Sequence, residues 1–287
     1  MQTDLPTPKP FNWRAALQAR HIALPAEHGA WVFLFSPLII GLATGGVRPA
    51  SLLLFAALMA AFLIRQPVTI ATKVFSGRRP KSELAPAGVW LALYGLLGSA
   101  AAVGLALLGY GYLFWLVLPG LPIFAWHLWL VRRRAERRQM LVEIVAGGVL
   151  ALSAPAAYWL GRAQVLPAGW LLWGLTWLQG AGTILYAYLR LEQRALKQPP
   201  TQAQARAMAR PAFWYNLAAL VLVVGLAAAR VVPVLLPLAY LIQPLEVLWG
   251  ARHPALGVRP KAIGFRQLAV SALFTLVFIL CWLGSPG

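Results

Sequence analysis

The run SLLLFAALMAAFLIRQPVTIAT (51–72) is followed at once by KVFSGRRPK (73–81). Twenty-two residues with a single charge, Arg65, suffice as a helix to cross ~30 Å of hydrocarbon at ~1.5 Å per residue. The nine residues that follow hold Lys73, Arg78, Arg79 and Lys81. Such a basic cluster keeps the end of a span on the cytoplasmic side.

The same alternation recurs along the chain. Apolar stretches at about 30–46, 51–72, 87–109, 112–131, 141–161, 168–189, 211–229, 231–250 and 265–284 predict nine transmembrane helices. With the N-terminus placed in the cytoplasm, twenty-one of the 25 Lys and Arg residues fall inside. Only Arg48, Arg162 and Arg230 fall outside, and Arg65 lies within a span. The expected fold class is therefore an all-α polytopic membrane protein with nine transmembrane helices, its N-terminus cytoplasmic and its C-terminus outside. The expected organisation is a cytoplasmic tail (1–25) ahead of one nine-helix transmembrane domain (26–287), set in the bacterial inner membrane.

Composition points the same way. Sixty per cent hydrophobic residues and a mean hydropathy of +0.70 exclude an ordinary soluble domain. The formal charge of +18 reads as a topogenic signal that also attracts anionic lipid headgroups, and nucleic acid is not an expected partner. Met1–Leu24 is polar and Pro-rich, so no cleavable signal peptide is expected ahead of the first span. The single cysteine, Cys281, excludes a disulfide within the chain. FNWRAALQARHIAL (11–24) sets Arg14 and Arg20 opposite an apolar face, which predicts a short amphipathic helix on the cytoplasmic leaflet.

Ionisable groups inside apolar spans mark function, because each costs ~2.5–3.5 kcal/mol on insertion scales. Glu27 and His28 open the first span, Glu143 lies a turn into the fifth, and Glu246 follows Gln243-Pro244 near the end of the eighth. Arg65, Tyr186 and Arg190 share their expected depth, in the cytoplasmic third of the membrane. Five spans thus contribute polar groups at one level, as a cytoplasm-facing cavity requires. No metal-ligand spacing accompanies His28, so neither a metal site nor a cofactor is expected. Most Trp residues mark span ends, and the prolines within spans mark kinks.

LPAEHGAWVFLFSPLIIG (24–41) resembles the opening of the YwiC-like family of bacterial integral membrane proteins, with its His-Gly-Ala-Trp signature and following Pro. AERRQMLVEIVAGG (135–148) and YAYLRLEQR (186–194) resemble that family's later motifs. This resemblance implies a topology and a site but not a reaction. Nine helices with a cytoplasmic N-terminus are also similar to the bundle of UbiA-type prenyltransferases. That likeness implies two working loops, after the second and sixth helices, whose aspartates hold Mg²⁺ against an isoprenoid diphosphate. Arg79-Pro80 matches the end of the first loop motif, but Thr72 and Ser76 stand where Asn and Asp are expected. The chain has one Asp, Asp4, so the usual carboxylate-held Mg²⁺ is not expected.

Cations occupy both loops instead, and Arg can hold phosphate directly. The expected function is a cytoplasm-facing cationic pocket for an anionic lipid or isoprenoid, without an aspartate-bound metal. Its candidate residues are Glu27, His28, Arg65, Lys73, Arg79, Glu143, Tyr186, Arg190 and Glu246. If catalytic, the chain would be a divergent UbiA-like transferase. The other readings are a small-solute or proton-coupled transporter, in which Glu27, His28, Glu143 and Glu246 relay protons, and a non-catalytic accessory protein.

Overall fold

A computed structural model describes residues 13–25, 30–135 and 139–284. Among these residues the chain is helical and contains no strand. Two short helices, α1 (Trp13–Gln18) and α2 (Arg20–Ala23), precede α3 (Ala30–Gly45) and α4 (Ser51–Phe75). Then come α5 (Leu84–Leu107), α6 (Gly120–Arg132), α7 (Met140–Ala151) and α8 (Ser153–Arg162). The C-terminal half holds α9 (Pro167–Ala195), α10 (Gln202–Ala228), α11 (Pro237–Arg252) and α12 (Pro260–Leu283).

Helices overlie each of the apolar stretches, because a backbone in hydrocarbon must satisfy its own polar groups. Among the described residues, six helical stretches are long and apolar enough to cross a membrane: Ser51–Phe75, Lys81–Leu107, Gly111–Arg132, Met140–Arg162, Gln202–Ala228 and Pro260–Leu283. Their outer faces carry large apolar side chains such as Leu52, Leu96 and Leu107, which are 76%, 72% and 83% exposed. A surface of this kind suits lipid. The chain is a multi-pass, all-α membrane protein.

The three other expected spans are α3, α9 and α11, which fall outside that set. α3 and α11 each have 16 residues. α9 has 29 residues but is interrupted by polar side chains, most of them buried. It packs against α3, α7, α8, α10, α11 and α12, so it is the inner post of the bundle. Its polar residues are tolerated because protein, not lipid, surrounds them.

Two expected helices are not continuous. The 112–131 stretch begins as a 3-10 helix, Gly111–Val117, and becomes α-helical only after Pro119. The 141–161 stretch divides at Leu152. Pro155 has no N–H for the Ala151 carbonyl, which ends α7 there, and Ser153 Oγ donates to Leu34 O across the break (3.1 Å).

α3 and α8 approach backbone to backbone. A Cβ on Gly41 would overlap the Ala154 carbonyl and stand 2.8 Å from Ala157 Cβ. Arg48 Nε donates to Gly161 O (2.7 Å) and Arg162 Nη2 to Thr44 O (3.0 Å), tying this end of the crossing.

The segment expected as one amphipathic helix forms α1 and α2, and its buried side chains meet protein. Ile22 packs with Ile70 of α4 and Ala87 of α5, and Ala16 is 1% exposed. Trp90 Nε1 donates to Ala16 O (3.1 Å) and Tyr94 OH to Ala23 O (2.9 Å). Burial between two helices covers part of the segment's apolar surface, while Leu17 and Leu24 stay 49% and 47% exposed.

Candidate functional site

One stripe of α9 carries Thr176, Gln179, Thr183, Tyr186, Arg190 and Gln193. Steps of three and four residues keep successive side chains on one helical face. All six are buried. α12 presents Gln267, Ser271 and Thr275 at four-residue steps, also buried, and α11 adds Gln243 and Glu246. The three helices therefore enclose a column of polar groups within an apolar bundle.

The end of the column nearest the α11–α12 connection is charged. Arg266 binds Glu246 through Nε to Oε1 and through Nη2 to Oε2 (2.9 Å). Tyr186 OH donates to Glu246 Oε1 (3.0 Å). The Arg266 guanidinium lies over the Trp249 ring, 3.4 Å from its centroid. Arg190 lies at 5.4 Å from the same ring and donates through Nη1 to Gln193 Oε1 (2.8 Å), Gly250 O (3.0 Å) and His253 O (2.7 Å). Arg190 thus caps carbonyls left open at the C-terminus of α11, where the helix dipole also favours a cation. Gly250 lets Tyr186 pass: a Cβ there would be 2.6 Å from the hydroxyl oxygen.

Further along, every member of the column is neutral. Gln179 Nε2 reaches Gln243 Oε1 and Thr183 Oγ1 at 3.5 Å each, the long limit of hydrogen bonding. A small cavity is lined by Gln179, Thr183, Thr176 and Ser271 together with Ser36 and Phe274. Ser36 and Thr275 hydroxyls join α3 to α12 (2.5 Å). Beyond them Phe274 packs edge-on to Tyr240 and tilted against Phe278, so the column ends in apolar core. Gln243 Nε2 and both polar atoms of Gln267 are buried without a protein hydrogen-bond partner.

Of the residues singled out in the sequence, Tyr186, Arg190 and Glu246 meet in this site. Glu143, on α7, accepts from Tyr188 OH (2.8 Å) on a different face of α9. Arg65, Lys73 and Arg79 belong to α4 and the turn after it, a helix that packs chiefly on α5, α6 and α8. Arg65 lies over the Phe62 ring (5.4 Å). Arg79 Nη1 contacts both oxygens of Glu83 (2.9 and 2.8 Å), and His21 Nε2 is 3.7 Å from Glu83 Oε1. Glu27 and His28 lie outside the described residues. Among the described residues, no three His, Cys, Asp or Glu side chains group closely enough to hold a metal ion. The members that a search for charge overlooks are Gln179, Thr183, Gln243 and Gln267. Their signal is the three-and-four spacing of neutral polar residues along apolar helices.

Residues 24–158 match the family model described as YwiC-like protein. This segment is similar to that family. A relative from Bacillus subtilis (strain 168), "Uncharacterized protein YwiC", is 27% identical over 172 residues, which are 60% of this chain and 68% of that protein. No solved structure matches the chain. The matched segment runs from just after α2 into α8. It includes Ser36 and Glu143, whereas the polar faces of α9, α11 and α12 follow it in the chain.

Proposed function

We propose that the chain is a nine-span bacterial inner-membrane protein, N-terminus inside and C-terminus outside, that takes up a small polar solute from the cytoplasm. The orientation rests on the placement of twenty-one of 25 Lys and Arg residues on one side. α3, α9 and α11 serve as spans despite their length or polarity, because their polar faces turn inward. The observation that carries the function is the column itself. Polar and charged side chains of α9, α11 and α12 run from Glu246 and Arg266 to a cavity, with aromatic core around Phe274 beside it. Such a site opens to one side at a time, as carriers do around a site near the membrane centre.

The cations that suit a phosphate are largely engaged elsewhere: Arg79 with Glu83, Arg266 with Glu246, and Arg190 with helix-end carbonyls. One observation still favours an anionic lipid or isoprenoid held in a UbiA-like bundle. Arg190 and Arg266 share Trp249 with a single carboxylate between them, and the Arg266 side chain is 40% exposed.

Thiol labelling decides between the two. In a Cys281→Ser background, Gln179→Cys and Thr183→Cys should react with a membrane-impermeant maleimide from the cytoplasmic face and not from outside. Unreactive column positions, together with retention of a prenyl diphosphate in native mass spectrometry that Arg190→Ala abolishes, would select the lipid reading.

A further inference from the structure

We infer that the cavity between α3, α7, α9 and α12 binds one dehydrated monovalent cation, an alkali ion or ammonium. This rests on the column being the functional site, and it names the class of solute that the cavity takes. A hydroxyl has one proton and two lone pairs, so the bond its proton makes decides what the oxygen offers a guest. Thr176 Oγ1 donates to Leu172 O (2.8 Å) and Thr183 Oγ1 to Gln179 O (3.1 Å). Thr275 Oγ1 donates to Ser271 O (2.8 Å), so in the Ser36–Thr275 pair the proton comes from Ser36. Gln179 Nε2 is directed at Thr183 Oγ1 and Gln243 Oε1. Ser36, Thr176, Gln179 and Thr183 all line the cavity, and each has only oxygen lone pairs left to offer. Gln179 Oε1 and Ser271 Oγ make no hydrogen bond among the described residues. Unlike the amide atoms of Gln267, they are open to the cavity that their residues line.

The backbone adds to this set. Pro37 and Pro155 have no N–H for the carbonyls four residues before them, those of Phe33 and Ala151. Phe33 and Ala151 both line the cavity. α7 also ends at Ala151, which brings the negative end of its dipole there. Carbonyls of broken helices and helix C-termini replace the water shell of a cation in membrane proteins. A neutral guest does not match such a lining. Water would give its protons to two of the oxygens and find a donor for its own lone pairs only in Ser271 Oγ. An anion would meet lone pairs. A divalent ion prefers carboxylates, and among the described residues no Asp or Glu lines the cavity. Its volume of ≈ 20 Å³ admits a guest the size of one water molecule, so the ion enters bare.

The test is thermal unfolding of the full chain in phosphatidylcholine nanodiscs, followed by Trp fluorescence at constant ionic strength. Choline chloride, whose cation is too large for the cavity, is replaced stepwise by sodium, potassium or ammonium chloride. At least one of the three should give a saturable rise in Tm over choline, and the one acting at the lowest concentration identifies the ion. Ser271→Ala should raise the half-saturating concentration about tenfold or more, as expected for one lost bond to a charged group, with little change of Tm in choline. If Ser271→Ala does not fold, Thr176→Val, which trades an oxygen for a methyl, should weaken the response in the same way. The same Tm in all four salts would overturn the inference. So would a rise that neither substitution weakens, since the ion would then act elsewhere on the chain or on the lipid. If no cation acts while Thr183→Cys is labelled from the cytoplasm, the ion class is wrong and the solute site stands. If labelling fails too, both readings fall.

Discussion

Arg266 holds Glu246 with two nitrogens of its guanidinium, and through that pair α12 is fastened to α11. The Glu246 side chain is 10% exposed, and Tyr186 of α9 shares its Oε1, so three helices meet on one carboxylate. Glu246→Gln removes the charge and leaves Arg266 beside a buried amide. The expected cost is about 1–3 kcal/mol, below that of a fully buried pair because Arg266 is partly exposed. Thermal unfolding of the purified chain measures it. An unchanged Tm would show that the pair does not bind the helices.

Gly250 and Tyr186 occupy the same space. Gly250→Ala puts a methyl 2.6 Å from the tyrosine oxygen and 2.8 Å from Cε2. Overpacking of this kind costs about 1–3 kcal/mol. Tyr186→Phe in the same chain should return only part of the loss, since the ring edge still clashes. A double-mutant cycle on Tm reads the coupling, and strictly additive effects would contradict the contact.

Arg190→Met keeps the apolar stem but strips the donors from Gly250 O and His253 O. The loss of a buried cation that caps a helix end should cost about 2–4 kcal/mol. Arg190→Lys should recover part of it, because all three acceptors surround one nitrogen, Nη1, whose two N–H groups they share, and an ammonium there has three N–H donors. Equal instability of the two variants would show that the planar guanidinium is required.

The crossing of α3 and α8 depends on Gly41. Gly41→Leu forces the backbones apart at Ala154 and should cost more than about 3 kcal/mol, or prevent assembly. Size-exclusion behaviour and yield in detergent report the result, and a well-folded variant would contradict the close crossing.

The helices of this fold are legible in the sequence. Helix positions follow from the apolar runs, since a backbone in lipid has little other choice of structure. Tyr186, Arg190 and Glu246 declared themselves because ionisable groups in apolar helices are costly, and they do meet. Depth along the membrane, however, does not fix direction around the bundle. Arg65 shares that expected depth but sits on α4, as does Lys73 at its end, and Arg79 in the turn after it closes on Glu83. Pro155 was legible as a kink, yet not as the end of α7, because Ser153 bonding to Leu34 is a tertiary event. Gln179, Gln243 and Gln267 went unread because a neutral amide leaves no mark on charge or hydropathy. Only their register on neighbouring helices gathers them into one column.

The most direct test of that column is the labelling of Thr183→Cys in the Cys281→Ser chain, with Ile184→Cys as its control one residue away. Both positions are buried, Thr183 5% and Ile184 4% exposed, but only Thr183 lines the cavity. A water-lined cytoplasmic route predicts that an impermeant maleimide modifies Thr183→Cys in inverted membrane vesicles, spares it in right-side-out vesicles, and leaves Ile184→Cys unmodified in both. Equal protection of the two cysteines from the cytoplasmic side would mean that the polar residues are sealed packing, and the account of a solute site would be wrong.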